Sequence, residues 1–299
     1  MLQFFKDPKY NIVSKRRFSF ILSLAVILVG IVSLFLQGLN YGVDFSGGAK
    51  MQIKFEESIS ADELRSRFTE KELGNPEIKS SGPNEYMITI NAEDLEGSDE
   101  VLQEALSGIN YTLLQTDKVG PKIGYEMRSN SVKAIGIALI LVLIYITVRF
   151  EFKFAVGAVT ALAHDILVTI GIFSIFQWEI SMPVLAAFLT IVGYSLNDTI
   201  VVYDRIRENI KVHKGKALPE VINLSINQSL SRTIITSLTT FVVVLILAIF
   251  GGQVLFGFSI AMVVGVIVGT YSSMFVASPI LIVWADKFKE KKEKDAKKK

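Results

Sequence analysis

The sequence contains no cysteine. Disulfides, thiolate zinc centres and thiol nucleophiles are therefore excluded, and the redox compartment stays open. Imidazole is almost as scarce, with His164 and His213 the only two histidines in 299 residues. Charge is sparse as well: 20% of residues are charged against 51% hydrophobic, and the mean hydropathy is +0.45. Such a chain is too apolar for an ordinary soluble domain, which argues against nucleic-acid binding and soluble enzymes alike. No glycine-rich phosphate loop ending in Lys-Ser/Thr is present, so nothing points to nucleotide binding. The net charge of +2 hides the useful signal, because the 31 basic and 29 acidic residues are sorted by position.

What is abundant is long apolar runs. A bilayer core about 30 Å thick needs roughly 20 apolar residues per helical span. Runs of that kind cover Phe18–Leu36, Ala134–Val148, Phe154–Phe176, Ile180–Val202, Thr233–Phe250 and Phe256–Trp284. The first follows Lys6, Lys9, Lys15, Arg16 and Arg17 and lacks a small-residue cleavage site, so it reads as an uncleaved anchor. The stretch from Thr233 to Ala285 has 53 residues without a charge, enough to cross twice, with Gly251, Gly252 and Gln253 as the turn. Basic residues crowd one side: five in the amino tail, Arg149 and Lys153 in the next turn, six in 204–232 and eight lysines from Lys287 onward. The opposing turns, 177–182 and 250–257, have none. By the positive-inside rule both termini are cytoplasmic.

The expected organisation is a cytoplasmic tail (1–17), a first span (18–37), an extracytoplasmic domain (38–130), five further spans (131–285) and a lysine-rich cytoplasmic tail (286–299). The tail reads as a solvated end that fixes topology and touches anionic lipid. Residues 38–130 carry 17 acidic against 9 basic residues and show soluble-type periodicities. Their order is strand Ala49–Phe55, helix Ala61–Leu73, strand Glu77–Ser80, strand Glu85–Asn91, helix Asp99–Ser107, strand Tyr111–Asp117, the βαββαβ order of a ferredoxin-like domain. Ser60 with Glu63 forms a capping box, Ser98 is placed to cap the second helix, and Gly82-Pro83-Asn84 turns the hairpin.

Ionisable residues inside spans cost about 2.5–3.5 kcal/mol each on insertion scales, so each raises a functional question. Asp198 falls in the cytoplasmic half of the fourth span, and Asp165, beside His164, near the middle of the third. Arg232 begins the fifth span, where it can reach a carboxylate on a neighbouring helix and bias its protonation, a proton switch in outline. Plainer readings stand beside these: a snorkelling Arg232, Asp198 in a static ion pair, and Asp165 with His164 as a structural pair. Asp204 and Arg205 read as interface charges. In the last span Gly257, Ala261, Gly265, Gly269 and Ser273 recur every four residues, a packing stripe whose partner helix is open. Thr270, Tyr271 and Ser272 add hydroxyls near it. Segment 204–231 reads as two short amphipathic helices on the membrane surface, broken at Gly215, with Pro219 at a helix start.

The run from Val192 to Asn209, with Asn197-Asp198-Thr199 at its centre, resembles the fourth-span signature of the SecF family of bacterial protein-export subunits. Val43-Asp44-Phe45-Ser46-Gly47-Gly48, Ser229-Leu230-Ser231-Arg232-Thr233 and Gly269-Thr270-Tyr271-Ser272-Ser273 occur in that family's order. The resemblance implies an RND-type half-bundle of six spans in the cytoplasmic (inner) membrane, paired with SecD beside the SecYEG channel. It implies use of the proton motive force to complete translocation of an unfolded polypeptide after SecA has acted. It also implies a proton relay at Asp198 and Arg232, with Asn197, Ser195, Asp165 and His164 in support and SecD's own acid completing the site. No cofactor is implied; the proton is the coupling ion, with sodium as the alternative. Two other readings are half of an RND-type proton-driven solute exporter and a non-energised translocon scaffold. An intramembrane aspartyl protease using Asp165 and Asp198 lacks its Gly-x-Gly-Asp stretch, since Ser195, Leu196 and Asn197 precede Asp198.

Overall fold

The computed structural model describes residues 8–71, 76–91 and 97–296. From the amino end, a 3₁₀ turn leads into α1 (Arg16–Gln37), and a short α2 (Val43–Ser46) opens an α+β domain. That domain runs β1 (Gly48–Phe55), α3 (Ala61–Glu70), β2 (Glu77–Gly82), β3 (Glu85–Asn91), α4 (Ser98–Ala105) and β4 (Tyr111–Val119). The chain returns to the bundle with α5 (Pro121–Arg149), α6 (Phe152–Phe176), α7 (Met182–Val212), α8 (Leu218–Phe250) and α9 (Gly252–Ser272). A π-helical segment (Ser273–Ala277) joins α9 to α10 (Ser278–Ala296), which together act as one span. Six helices among the described residues are thus long and apolar enough to cross a membrane.

The α+β domain has the ferredoxin-like arrangement. Its sheet order is β2-β3-β1-β4 with every neighbour antiparallel. Alternation along β1 buries Ala49, Met51, Ile53 and Phe55 against Leu64 and Phe68 of α3 and Leu102 of α4. The opposite face carries Lys50, Gln52, Thr89, Gln115 and Asp117 and overhangs the end of the bundle at the α6–α7 turn across a cleft of about 500 Å³. Ser60 caps α3 by accepting the Glu63 amide, as expected, and Asn84 takes φ 57° in the hairpin turn. Helix α3 ends at Glu70, and residues 72–75, which include the expected end at Leu73, lie outside the described residues. Ser98 does not cap: Gly97, at φ 99°, occupies the cap position and Ser98 begins the helix.

Close helix crossings organise the bundle. Gly30 of α1 and Gly171 of α6 meet backbone to backbone, so a methyl group on Gly30 would lie 2.9 Å from the Gly171 Cα. The small-residue stripe of α9 finds its partner within this chain. Gly257 faces Val184, Gly265 faces Ile191 and Gly269 faces Ser195, all on α7. This close approach is what small residues permit in a bundle where lipid offers no hydrophobic drive to associate.

Three expectations about boundaries change. Segment 204–231 is not a pair of surface helices: α7 continues to Val212, and α8 runs unbroken from Leu218, with Pro219 in its first turn. Its apolar face, Ile222, Ile226 and Leu230, packs on Val202, Tyr203 and Ile206, while Asn209 Nδ2 donates to Ser225 Oγ at 2.9 Å and Gln228 Oε1 at 2.8 Å. Protein packing satisfies that face, so it does not lie on lipid. Helix α5 begins at Pro121, ahead of residue 131, because proline starts a helix without needing its missing amide. The last helix continues to Ala296, through the segment read as a solvated tail. Residues 1–7 and 297–299 of the two expected tails lie outside the described residues.

Candidate proton-relay site

Asp198 lies on α7, 3% exposed, facing α8. Thr236 Oγ1 approaches its Oδ1 at 3.4 Å, and Ser237 Oγ its Oδ2 at 3.3 Å. Both contacts are long for hydroxyl donors to a carboxylate, so the acid is loosely held. Behind it, Thr270 Oγ1 of α9 donates to Ser237 Oγ at 2.7 Å. Arg232 sits one turn before Thr236 on α8. Its side chain is exposed, and among the described residues it forms no ion pair with Asp198, acting on it only through its field. Asn197 is exposed too, on the face of α7 that carries Gly193, and its side chain makes no hydrogen bond among the described residues. Two of the expected relay and supporting residues therefore point away from this chain's own core.

The other supporting residues converge on a second centre. Asp165 of α6 is fully buried and His164 is 7% exposed. His164 Nδ1 meets Asp165 Oδ1 at 2.9 Å. Asp165 Oδ2 accepts from Ser195 Oγ of α7 at 2.6 Å and from Ser272 Oγ of α9 at 2.8 Å. The other imidazole nitrogen, Nε2, lies 3.1 Å from Ser23 Oγ of α1, and Ser23 Oγ lies 3.1 Å from the Tyr271 hydroxyl. That hydroxyl donates to the Ser19 carbonyl at 2.9 Å, and the Tyr271 ring stacks on His164. Every carboxylate oxygen is partnered here, as burial demands. The two acids are neighbours through α7, where Ser195 and Asp198 are three residues apart, and through Thr270–Ser272 of α9, which serves both.

Thr236 and Ser237 escaped the sequence reading, and so did Ser23. The first two follow Arg232 by one turn on the same helix, a spacing that could have marked them. Ser23 carried no such signal, since it meets His164 across 141 positions of chain.

At the end of the bundle nearest the sheet a clasp joins bundle and domain. Gly42 N donates to the Ile180 carbonyl and Ile180 N to the Asn40 carbonyl, while Asp44 Oδ2 accepts the Met182 amide at the start of α7. Lys50 of β1 donates to both carboxylate oxygens of Glu179, at 2.7 and 2.9 Å. Gly47 and Gly48, at φ 80° and 135°, turn the chain from α2 into β1 in conformations that L side chains rarely adopt.

The comparisons with known proteins agree with this arrangement. The family model described as protein export membrane protein SecD/SecF, C-terminal, matches residues 99–287, and the SecD/SecF GG motif matches residues 32–59. The protein translocase subunit SecF of Rhodothermus marinus is 43% identical over 292 residues, covering 94% of this chain and 95% of its own. The protein translocase subunit SecDF of Thermus thermophilus is 38% identical over 292 residues, covering 95% of this chain and 40% of its own. The crystal structure of SecDF from Thermus thermophilus, titled a translocon-associated membrane protein, superposes with a TM-score of 0.85 at 38% identity over 94% of this chain. This chain spans 39% of that longer one. By both sequence and architecture, this multi-pass membrane chain belongs to the SecD/SecF family of protein-export membrane proteins.

Proposed function

We propose that the chain works as a SecF-type subunit which, with SecD, uses the proton gradient to promote polypeptide translocation through the Sec machinery. Asp198 is the group that takes up and releases the proton. The observation that carries this reading is the half-built state of its site. A buried carboxylate is held only by two long hydroxyl contacts, while Asn197 and Arg232 beside it turn outward. A facing subunit with its own acid would complete the enclosure, and SecD, fused to the corresponding half in the longer SecDF relatives, has the right place in the chain to supply it. In this reading the chain lies in the inner membrane with both termini cytoplasmic, beside SecYEG, and acts after SecA. One charge falling through 100 mV is worth about 2.3 kcal/mol, on the scale of the gap between two packings of a helix bundle.

The test is gradient-driven export in sealed vesicles containing the chain, SecD and SecYEG, under imposed proton or sodium gradients. Asp198→Asn and Arg232→Ala are expected to abolish the proton-driven component while assembly with SecD persists. Unchanged export in both would leave a scaffold role, and stimulation by sodium alone would replace the proton as coupling ion.

A further inference from the structure

The second centre carries an inference of its own, reached by counting hydrogens. The Tyr271 hydroxyl has one hydrogen, and it goes to the Ser19 carbonyl, which can only accept. Tyr271 must then accept in its contact with Ser23, so Ser23 donates to it. The single Ser23 hydrogen is now used, so in the remaining contact His164 Nε2 must be the donor. Nε2 therefore carries a hydrogen. At the other end, Ser195 and Ser272 donate to Asp165 Oδ2, leaving Oδ1 to face His164 Nδ1 at 2.9 Å. A neutral imidazole protonated on Nε2 has a lone pair on Nδ1, and a carboxylate has only lone pairs. Two lone pairs do not meet at that distance in a buried site, so a proton lies between them.

We propose that His164 and Asp165 form a proton-storing dyad, a second protonation site distinct from Asp198, whose emptying releases Ser23 of α1 from the imidazole on α6. One proton is shared between Nδ1 and Oδ1, and the pair is neutral overall whether written as imidazolium and carboxylate or as imidazole and carboxylic acid. Around the dyad, α1 contributes only Ser19 and Ser23, α7 contributes Ser195, and α9 contributes Ser272 and the phenol of Tyr271. Asp198 follows Ser195 by one turn along α7. When the stored proton leaves, Nδ1 and Oδ1 repel and the ring must turn. That breaks the Nε2 to Ser23 contact and, with it, the only hydroxyl chain from His164 through α1 to Tyr271 among the described residues.

The place of this chain in the fold gives the release a consequence. Helix α1 runs outward into Gly38 and Asn40, the start of the clasp that holds Ile180 and, through Lys50 and Glu179, the external sheet. At the inner end, Ser272 is followed directly by the π-helical segment, the kind of register irregularity that recurs at functional sites. A proton held at mid-membrane is thereby connected to the external domain through one helix. The proposal rests on the gradient-driven function above.

Two measurements test it. This chain has only two histidines, so with it alone ¹⁵N-histidine-labelled and SecD unlabelled, NMR of the complex in nanodiscs gives two sets of ring signals, and a His213→Gln variant leaves His164 alone. The expected result is a protonated Nε2 and a hydrogen-bonded proton at Nδ1. An Nε2 without a hydrogen, or a ring that titrates as a free imidazole does between about pH 5 and 8, overturns the dyad. This measurement does not depend on any change within the dyad. The second uses Asp165→Asn, whose carboxamide can donate to Nδ1 and accept from both serines but has no proton to exchange. Proton-driven export is expected to fall to the level seen without a gradient, with SecD assembly retained. Wild-type export by this variant overturns the dyad; if Asp198→Asn is inactive in the same vesicles, the proposed function survives, and if Asp198→Asn also exports normally, both fall.

Discussion

Adding one methyl group at the crossing of α1 and α6 tests the packing that holds the buried acids in place. Gly30→Ala places a Cβ 2.9 Å from the Gly171 Cα, where about 3.5–4 Å is the comfortable carbon separation. The neighbour is backbone, so no side chain can swing away and the helices must part. Overpacking of this kind costs about 1–3 kcal/mol, and a backbone contact belongs at the upper end. Alanine also gains about 1 kcal/mol over glycine in a helix, which would mask part of the cost. Gly136→Ala on α5 is the control, since nothing lies within 4 Å of its added methyl group and only the helical gain remains. The difference between the two variants therefore isolates the contact, at about 3 kcal/mol. Denaturant unfolding in detergent reads it, with Trp178 as a local probe because its ring stacks on Phe176 at the end of α6. Equal changes in both variants would refute the close crossing. Because α1 also carries Ser23, Gly30→Ala is expected to disturb the His164 signals while Gly136→Ala leaves them alone.

Other consequences follow from the clasp and the α+β domain. Lys50→Met or Glu179→Gln is expected to loosen the sheet from the bundle by about 1–3 kcal/mol, and the charge swap Lys50→Glu with Glu179→Lys to restore it. Spin-label distances between β4 and the α6–α7 turn should broaden in the single variants and narrow again in the swap; equal distributions in all would remove the latch. Ser60→Ala removes the α3 cap and is expected to cost about 1 kcal/mol of local stability, read as faster amide exchange in α3 with α6 unaffected. Unchanged α3 protection would mean that the cap carries no weight there.

The spans and the βαββαβ order were legible because each rests on a local pattern, long apolar runs in one case and alternation broken by turn residues in the other. Helix ends were less so. Charges and Gly215 made 204–231 look like two short helices lying on the membrane surface, yet hydrogen bonds such as Asn209 to Ser225 hold the ends of α7 and α8 against each other there. A helix that has left the apolar slab gives no hydropathy signal of its own. The acids were visible for the opposite reason, since a carboxylate in an apolar run stands out. Their partners did not stand out. Ser23 and Ser237 are ordinary small polar residues in their helices, and only the crossing of α1 with α6 and of α8 with α7 gives them a role. The same limit explains Arg232. Its position on α8 suggested a reach to Asp198, but the rotation of the helix presents Thr236 and Ser237 to the acid and turns the guanidinium outward.

The most direct test of the central claim is proton entry into sealed vesicles that hold the chain, SecD and SecYEG while a polypeptide is being exported, followed with an internal pH dye. The account predicts that wild type acidifies the lumen on the gradient's downhill side in step with export, and that Asp198→Asn shows neither the proton flux nor the gradient-driven export. Proton entry by Asp198→Asn equal to wild type would contradict it, because the proton would then be travelling by a route that this carboxylate does not gate.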